Sequence, residues 1–365
     1  MHPCPLILSP IFKDKIWGGR NLYTLLDKAL PDKVPIGESW ECADLPNGQS
    51  IVARGPQKGR TLSELVREWG PGLTGRAPLF EDRFPLLIKF LDAAENLSIQ
   101  VHPNPDITDA GRNPLHIKHE AWHILQAAPG ARIYRGLAAG VTVDDLRRAA
   151  ELQPDSIPSM LRAYTVRAGQ TYYIPSGTIH AMGAGVVAAE IQTPSDTTYR
   201  LYDWGRRRPD GDAGLHVNEA LAAIQTRVNP TTFERRSHVA GIFTTVTRLV
   251  DSPSFRIEKV RMTGDVTQDI PYAELVCWIM LEGEGEIAHG RGETERFRKG
   301  EVVILPAELK TPRLKTTTDC TWLEVTIPIV SDLAEFPHPA AERPGGEDPA
   351  PGGLIPLNIN IKKDQ

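Results

Sequence analysis

Cysteine is scarce and scattered. The four residues, Cys4, Cys42, Cys277 and Cys320, include no Cys-x-x-Cys pair, which argues against a zinc ribbon or a thioredoxin-like site. Long apolar runs are missing too. No stretch reaches the ~18 apolar residues that a membrane-spanning helix needs, so no membrane partner is expected. The opening MHPCPLILSPIFKDK lacks a basic leader and has only a very short apolar run, so it is not expected to be a signal peptide. A reducing, cytoplasmic setting is the expectation. Nor is there an excess of basic charge. The formal net charge is -5, which gives no global attraction to nucleic acid; an anionic small substrate would need a locally basic pocket.

Helical patterns are few. Residues 61–69 (TLSELVREW) open with Thr61 three residues before Glu64, a capping-box pattern. Residues 142–152 begin in the same way at Thr142, and 217–226 form a third helical stretch. Strand-like segments are many: 85–91, 97–102, 120–126, 170–174, 186–192, 242–249, 254–260, 274–281, 301–305 and 321–327. They are short, rich in β-branched and aromatic residues, and bounded by turn residues. A mainly β protein with helical insertions is expected. The 365 residues fit two domains at ~100–200 residues each. The expected division is 1–245, then a compact β unit over 246–330 in which GEGE (283–286) joins two strands, then a Pro/Gly-rich flexible tail over 331–365. Within that tail, LIPLNINIKK could dock as a strand.

The stretch SIQVHP (98–103) places Gln100 and His102 two residues apart, hence on one face of a strand. Either both face water, or both face something that wants an amide oxygen and an imidazole. Glu120 in KHEAWHILQ and His180 in GTIHAMG would complete a set of two nitrogens and two oxygens, chemistry that suits zinc. By composition alone His119 and His123 are equal claimants, and spacing does not choose among them.

Around His180 the spacing is informative. Gly169 and Pro175 are separated by five residues, Pro175 and Gly177 by one, and Gly177 and His180 by two. This resembles the second motif of the cupin superfamily, in which a tight Pro/Gly corner returns a histidine into a small β-barrel. Gln100-Val101-His102 stands where a His-x-His is usual. Together with PIFKDKIWGGRNL (10–22), GESWECADLPNGQS (37–50), FPLLIKFLDAAENLSIQVHPNP (84–105), KHEAWHIL (118–125), GQTYYIPSGTIHAMGAG (169–185) and EIQTPSDTTYRLYDWGR (190–206), the chain resembles the type I phosphomannose isomerases in their shorter bacterial form.

The resemblance implies two cupin-like (jelly-roll) β-barrels with a helical insertion, and one zinc ion per chain held by Gln100, His102, Glu120 and His180. It selects Glu120 over its histidine neighbours. It implies interconversion of mannose 6-phosphate and fructose 6-phosphate through a cis-enediol, with Arg200 as the essential arginine and Lys89 and Lys118 as the family's lysines. The base stays open among Lys118, Glu190, Asp196, His119 and a metal-bound water, with Lys118 and Glu190 ranked first. Trp17, Asp196 and Lys89 are expected to bind substrate, and the Gly pair beside Trp17 suits close backbone approach to a pocket. The run 206–208 of three arginines reads as a solvated cluster or a phosphate grip.

In the C-terminal part Gly300 and Pro306 repeat the spacing of Gly169 and Pro175, but Ala307-Glu308-Leu309-Lys310 follows in place of a histidine. This reads as a second barrel without its metal. The rival readings are a related isomerase or epimerase of another sugar phosphate, and a non-catalytic sugar-binding cupin. A monomer or a homodimer fits either.

Overall fold

Alternation along the strands builds the molecule in layers. In the strand Val186–Gln192, Val187, Ala189 and Ile191 join one apolar core while Val186 and Ala188 join another. In Val276–Glu282, Cys277 and Ile279 face the first of these cores, and Val276, Trp278 and Met280 face a third. Each such strand is buried on both faces, so its sheet lies between two others. The computed structural model describes residues 2–104, 117–206, 214–226, 234, 237–290 and 292–329. Those residues belong to one compact unit ending at Ile329. The tail expected over 331–365, its expected strand, and Arg207 and Arg208 lie outside the described residues.

Four antiparallel sheets stack in order. The first has five strands: Leu161–Thr165, Arg132–Leu137, His180–Met182, Ile99–Val101 and Tyr199–Tyr202. The second has six: Thr171–Ile174, Glu120–Ala127, Val186–Gln192, Leu87–Ala93, Ile11–Gly19 and Ile36–Cys42. The third has seven, running from Leu6–Ile7 through Val302–Leu305, Val276–Glu282, Cys320–Thr326, Arg256–Met262 and Thr244–Asp251 to Ser237–Ala240. The fourth comprises Thr267–Asp269, Arg313–Thr316, Glu284–His289 and Glu293–Arg298. The fold is mainly β and of cupin type, and the strand pairing among the described residues closes no barrel.

Helices cover the outer face of the first sheet. Leu146 and Ala149 of the helix Val143–Leu152, Ile157 of the 3-10 helix Pro154–Met160, and Ala220 and Leu221 of the helix Val217–Ala223 pack with Ile99, Val101 and Leu201. The two expected capping boxes form. Thr61 Oγ1 accepts the Glu64 N–H at 3.2 Å and Glu64 Oε2 accepts the Thr61 N–H at 2.8 Å; Thr142 and Asp145 do the same at 3.2 and 2.9 Å. The third helix stops at Ala223, because Ile224 turns to an extended backbone.

All ten expected strands form, with ends within two residues of the expected ones. At GEGE the turn is narrower than expected. Gly283 alone carries it, at φ +82°, and Glu284 already begins the next strand. The two strands it joins lie in different sheets, so the turn is a corner between layers.

Candidate metal centre and active-site cleft

Two turns bring the imidazoles together. His102 follows the strand Ile99–Val101, and its carbonyl accepts the Gly177 N–H at 3.0 Å. Gly177 sits at φ +82°, where a Cβ would also press on Asn104 at 3.1 Å, so glycine is required at this corner. The corner delivers His180 onto the strand His180–Met182, directly across from Gln100. Glu120 begins its own strand opposite Ile174 and Gln192.

The ligand atoms of His102, Glu120 and His180 all lie within 4.8 Å of one another, and all three residues are buried. His102 Nε2 is 3.2 Å from Glu120 Oε2, and His180 Nε2 is 3.2 Å from Glu120 Oε1. The remaining ring nitrogens are committed. His102 Nδ1 contacts the Thr197 carbonyl at 3.0 Å, and His180 Nδ1 contacts the Thr178 carbonyl at 2.8 Å. A carbonyl only accepts, so each Nδ1 carries the proton and each Nε2 lone pair turns inward. His102 Nε2 and both Glu120 oxygens are buried without a hydrogen-bond partner. The Lys118 ammonium offsets one of them, 2.8 Å from Glu120 Oε2; the others are costly unless a cation satisfies them. Burial, then the Lys118 charge, holds the His102 imidazole down at about 3, so it is neutral as a ligand must be. Burial opposes charge on Glu120, but the Lys118 ammonium beside it holds its carboxyl well below the ordinary range. Gln100 adjoins the set through its amide, whose nitrogen is 3.2 Å from His180 Nε2 while its oxygen accepts from Ser98 at 3.2 Å.

His119 and His123 point elsewhere. His119 accepts the Ser176 N–H at Nδ1, and its ring stacks on Tyr173. His123 meets Thr171 Oγ1 at 2.9 Å. Strand parity puts both on the face opposite Glu120 and Trp122.

Beside the three ligands opens a cleft of about 420 Å³. Its walls include Trp17, Lys89, Gln100, Lys118, Glu190, Asp196 and Arg200; of the side chains named from the sequence as candidate bases, His119 alone is not among the lining residues. Arg200 lies across from Gln100 on the other side from His180, which aligns the three on one face. Lys118 Nζ is 2.8 Å from Glu120 Oε2 and 3.9 Å from Glu190 Oε1; Lys89 Nζ is 3.4 Å from the same Glu190 oxygen. Glu190 Oε2 accepts the Trp122 indole N–H at 2.9 Å. Asp196 is exposed at the rim, bonded to Asn47 at 2.7 Å. Arg206, the described member of the arginine run, pairs with Asp203 at 2.6 Å.

One wall carries a residue that sequence reasoning passed over. Glu38 lies 3.6 Å from Lys89 and 3.1 Å from Lys15, and accepts the Trp40 indole N–H at 2.6 Å. Burial raises its pKa, but Lys89 and Lys15 outweigh this and bring it down to about 2. For Lys89 burial favours the neutral form, yet Glu38 and Glu190 hold its pKa above the ordinary lysine range. Lys89 is therefore charged at neutral pH. The signal was the alternation of GESWE, which puts Glu38 and Trp40 on one face of a buried strand.

Trp17 belongs to a bulge. Asp14 and Gly19 both pair with Ile36, so residues between them loop out over the cleft. The glycines beside Trp17 serve a different purpose from the expected one. A Cβ on Gly18 would lie 2.5 Å from the Gly37 nitrogen, and one on Gly19 would lie 2.6 Å from the Asp92 carboxylate. Close approach is to the neighbouring strand and to Asp92, because the bulge has to cross both; it is not to the cleft.

Stacked antiparallel sheets with a buried His/Glu/His cluster beside a polar cleft define a cupin-type protein with a candidate metal centre. Residues 6–123 match the model for the catalytic domain of type I phosphomannose isomerase. Mannose-6-phosphate isomerase ManA of Bacillus subtilis is 35% identical over 327 residues, 87% of this chain and 97% of that protein. The mannose-6-phosphate isomerase of Streptococcus mutans is 36% identical over 309 residues, 84% and 93% of the two chains. The crystal structure of the mannose 6-phosphate isomerase from Bacillus subtilis superposes with a TM-score of 0.78 at 32% identity, covering 88% of this chain and 99% of that one. A substituted form of phosphomannose isomerase from Salmonella typhimurium shares the fold, at a TM-score of 0.69 and 16% identity, covering 89% of this chain and 100% of that one. The chain belongs to the type I phosphomannose isomerase family.

Proposed function

We propose that the protein is a zinc-dependent aldose–ketose isomerase that interconverts mannose 6-phosphate and fructose 6-phosphate through a cis-enediol. The single observation that carries this reading is the juxtaposition of the inward-turned His102, Glu120 and His180 acceptors with a buried acid, Glu190, beside one cleft lined by both cations and acids. Two neutral imidazoles and a carboxylate suit zinc, and Gln100 joins them as the fourth ligand once its amide turns its oxygen inward. A bound zinc ion would supply a Lewis acid that polarises a substrate oxygen.

The chain's own groups then divide the work. The reaction removes a proton from C2 of the aldose and returns one at C1, while a proton moves between the two oxygens. Glu190 Oε1 is the proton shuttle at carbon: it is buried, faces Lys89 and Lys118, and has no hydrogen-bond partner. Lys118 is ion-paired to Glu120, and Lys89 stays charged, so both serve as fixed cations and not as bases. Arg200 faces the same cleft and stabilises the negative charge that develops on the enediolate oxygens. Trp17 and Asp196 bound the sugar at the rim.

In this reading residues 1–245 hold the catalytic site and 246–330 form a metal-free cupin-like unit that supports it. No helix among the described residues is long and apolar enough to cross a membrane. Free cysteines fit a cytoplasmic enzyme, monomeric or homodimeric. The test is isomerisation of mannose 6-phosphate in deuterated water. Deuterium at C1 of the fructose 6-phosphate formed supports an enediol, and its complete exclusion from the product at every extent of reaction points to a hydride shift or a fully shielded transfer.

A further inference from the structure

The two halves of the molecule repeat one arrangement. In the catalytic half, Trp122 lies across from Glu190 on paired strands, and its indole N–H donates to Glu190 Oε2 at 2.9 Å. In the C-terminal half, Trp278 lies across from Glu324 on paired strands, and its indole N–H donates to Glu324 Oε2 at 3.1 Å. The flanks correspond. Ile174, just before Pro175, pairs with Glu120, two residues ahead of Trp122; Leu305, just before Pro306, pairs with Val276, two residues ahead of Trp278. On the third strand Lys89 pairs with Glu190, and Glu258 pairs with Glu324. Glycines at φ +84° and +81°, Gly169 and Gly300, open the equivalent turns. Register therefore sets Val276 in the place of Glu120 and Glu258 in the place of Lys89.

What differs is the setting of the acid. Glu324 Oε2 also takes the Tyr272 hydroxyl at 2.5 Å and the Trp322 N–H at 3.4 Å, and the lysine position beside it holds another carboxylate. In Glu190 one oxygen is tied to the indole, and the other is left bare toward two ammonium groups and the cleft. The same indole packs edge-on against His180, with ring centroids 5.5 Å apart.

We infer that Trp122 is a positioning residue for the isomerisation: its indole N–H anchors one oxygen of Glu190, so that the other, between Lys89 and Lys118, is held at the reacting carbons and the carboxylate cannot rotate to give each lysine an oxygen of its own. The Trp278–Glu324 pair is the same device without its chemistry. This rests on the reading of Glu190 as the proton shuttle. Without the anchor, a carboxylate that has rotated to give one oxygen to each lysine is a misaligned base, while the residues that would hold substrate and metal keep their places.

The test compares Trp122→Phe, Trp278→Phe, Glu190→Gln and the Trp122→Phe/Glu190→Gln double variant, each scored for kcat, KM, bound metal and thermal midpoint. For Trp122→Phe the expected result is a fall in kcat of roughly 10- to 100-fold with KM within about 2-fold and metal content unchanged. Trp278→Phe is expected to lower the thermal midpoint comparably with kcat within about 2-fold, since it removes an equivalent bond remote from the cleft. The double variant should be no slower than Glu190→Gln, because Trp122 acts through Glu190. If Trp122→Phe fails to fold, benzothienylalanine at position 122 keeps the bicyclic ring, replaces only the N–H, and is held to the same expectation. Additive losses in the double variant, an unchanged kcat, or loss of metal in Trp122→Phe overturns the inference. Full turnover in Glu190→Gln overturns the base assignment itself, and an inactive parent protein overturns the isomerase reading; these two failures are distinguishable from that of Trp122 because neither involves a change at position 122.

Discussion

The ammonium of Lys89 stands 3.4 Å from Oε1 of Glu190, and both side chains are almost entirely withdrawn from water. With Glu38 at 3.6 Å on its other side, Lys89 compensates two carboxylates at once. A strand that could have been uniformly apolar, Leu87–Ala93, thus carries a charge inside the protein. The two acids flanking it belong to the adjoining strands, where register puts Trp40 and Glu190 across from Lys89.

Removing that charge withdraws a cation that Glu38 and Glu190 both face, leaving Lys15 beside the first and the more distant Lys118 beside the second. Lys89→Met should therefore destabilise the protein by about 3–5 kcal/mol, the range for breaking a buried ion pair from one side. Urea titration followed by far-UV circular dichroism measures this, and a loss below about 1 kcal/mol would show that the carboxylates find other partners.

Glu38 gives a sign to the acid stability. Its carboxyl is held down at about 2 against an ordinary value of 4.5, so it stabilises the fold above pH ~4.5, and that contribution is lost as pH falls toward 2. The contribution is on the order of 3 kcal/mol. The unfolding free energy of the wild type minus that of Glu38→Gln should shrink as pH is lowered from 5 toward ~2.5. A difference independent of pH would place the stabilising role of Glu38 in packing and not in charge.

Much of this centre was legible in the sequence, and the limits of legibility have physical reasons. Gln100, His102 and His180 were found because period-two alternation and a Pro/Gly corner are local signals. Glu120 could be separated from His119 and His123 only by the resemblance or by parity relative to the other ligands, which is a tertiary property. Glu38 was missed because alternation puts it on the face of Trp40 but does not show that this face is buried against Lys89, which lies across from Trp40 on the next strand. The strands Arg132–Leu137, Leu161–Thr165 and Glu293–Arg298 were also missed. Their exposed faces carry arginine and glutamate, and charged alternation is a weaker strand signal than an apolar run. The purpose of Gly18 and Gly19 was misread for the same reason: which backbone comes close is set by the partner strand.

The bulge over the cleft supplies a prediction of its own. Gly18→Ala would drive a methyl to within 2.5 Å of the Gly37 nitrogen, a contact with backbone that no rotamer relieves. A loss of about 1–3 kcal/mol is expected from such overpacking, with a rise in KM as Trp17 is displaced from the cleft wall. Thermal melts and steady-state kinetics check both, and an unchanged KM would remove Trp17 from the substrate wall.

Arg200 and His180 should fail in different ways. Arg200→Ala is expected to fold and to retain its metal while turnover falls on the order of 10²–10³-fold. His180→Ala should lose the metal, as elemental analysis of the purified variant would record. Near-normal turnover in the first, or full metal content in the second, contradicts the role given to that residue.

The central claim is metal-dependent isomerisation at the His102, Glu120 and His180 cluster. Its most direct test is a coupled assay of the purified protein with mannose 6-phosphate before chelation, after chelation, and after zinc is restored. Activity should vanish with the metal and return with zinc. Folded, zinc-loaded protein without turnover, or turnover indifferent to thorough chelation, would contradict the claim.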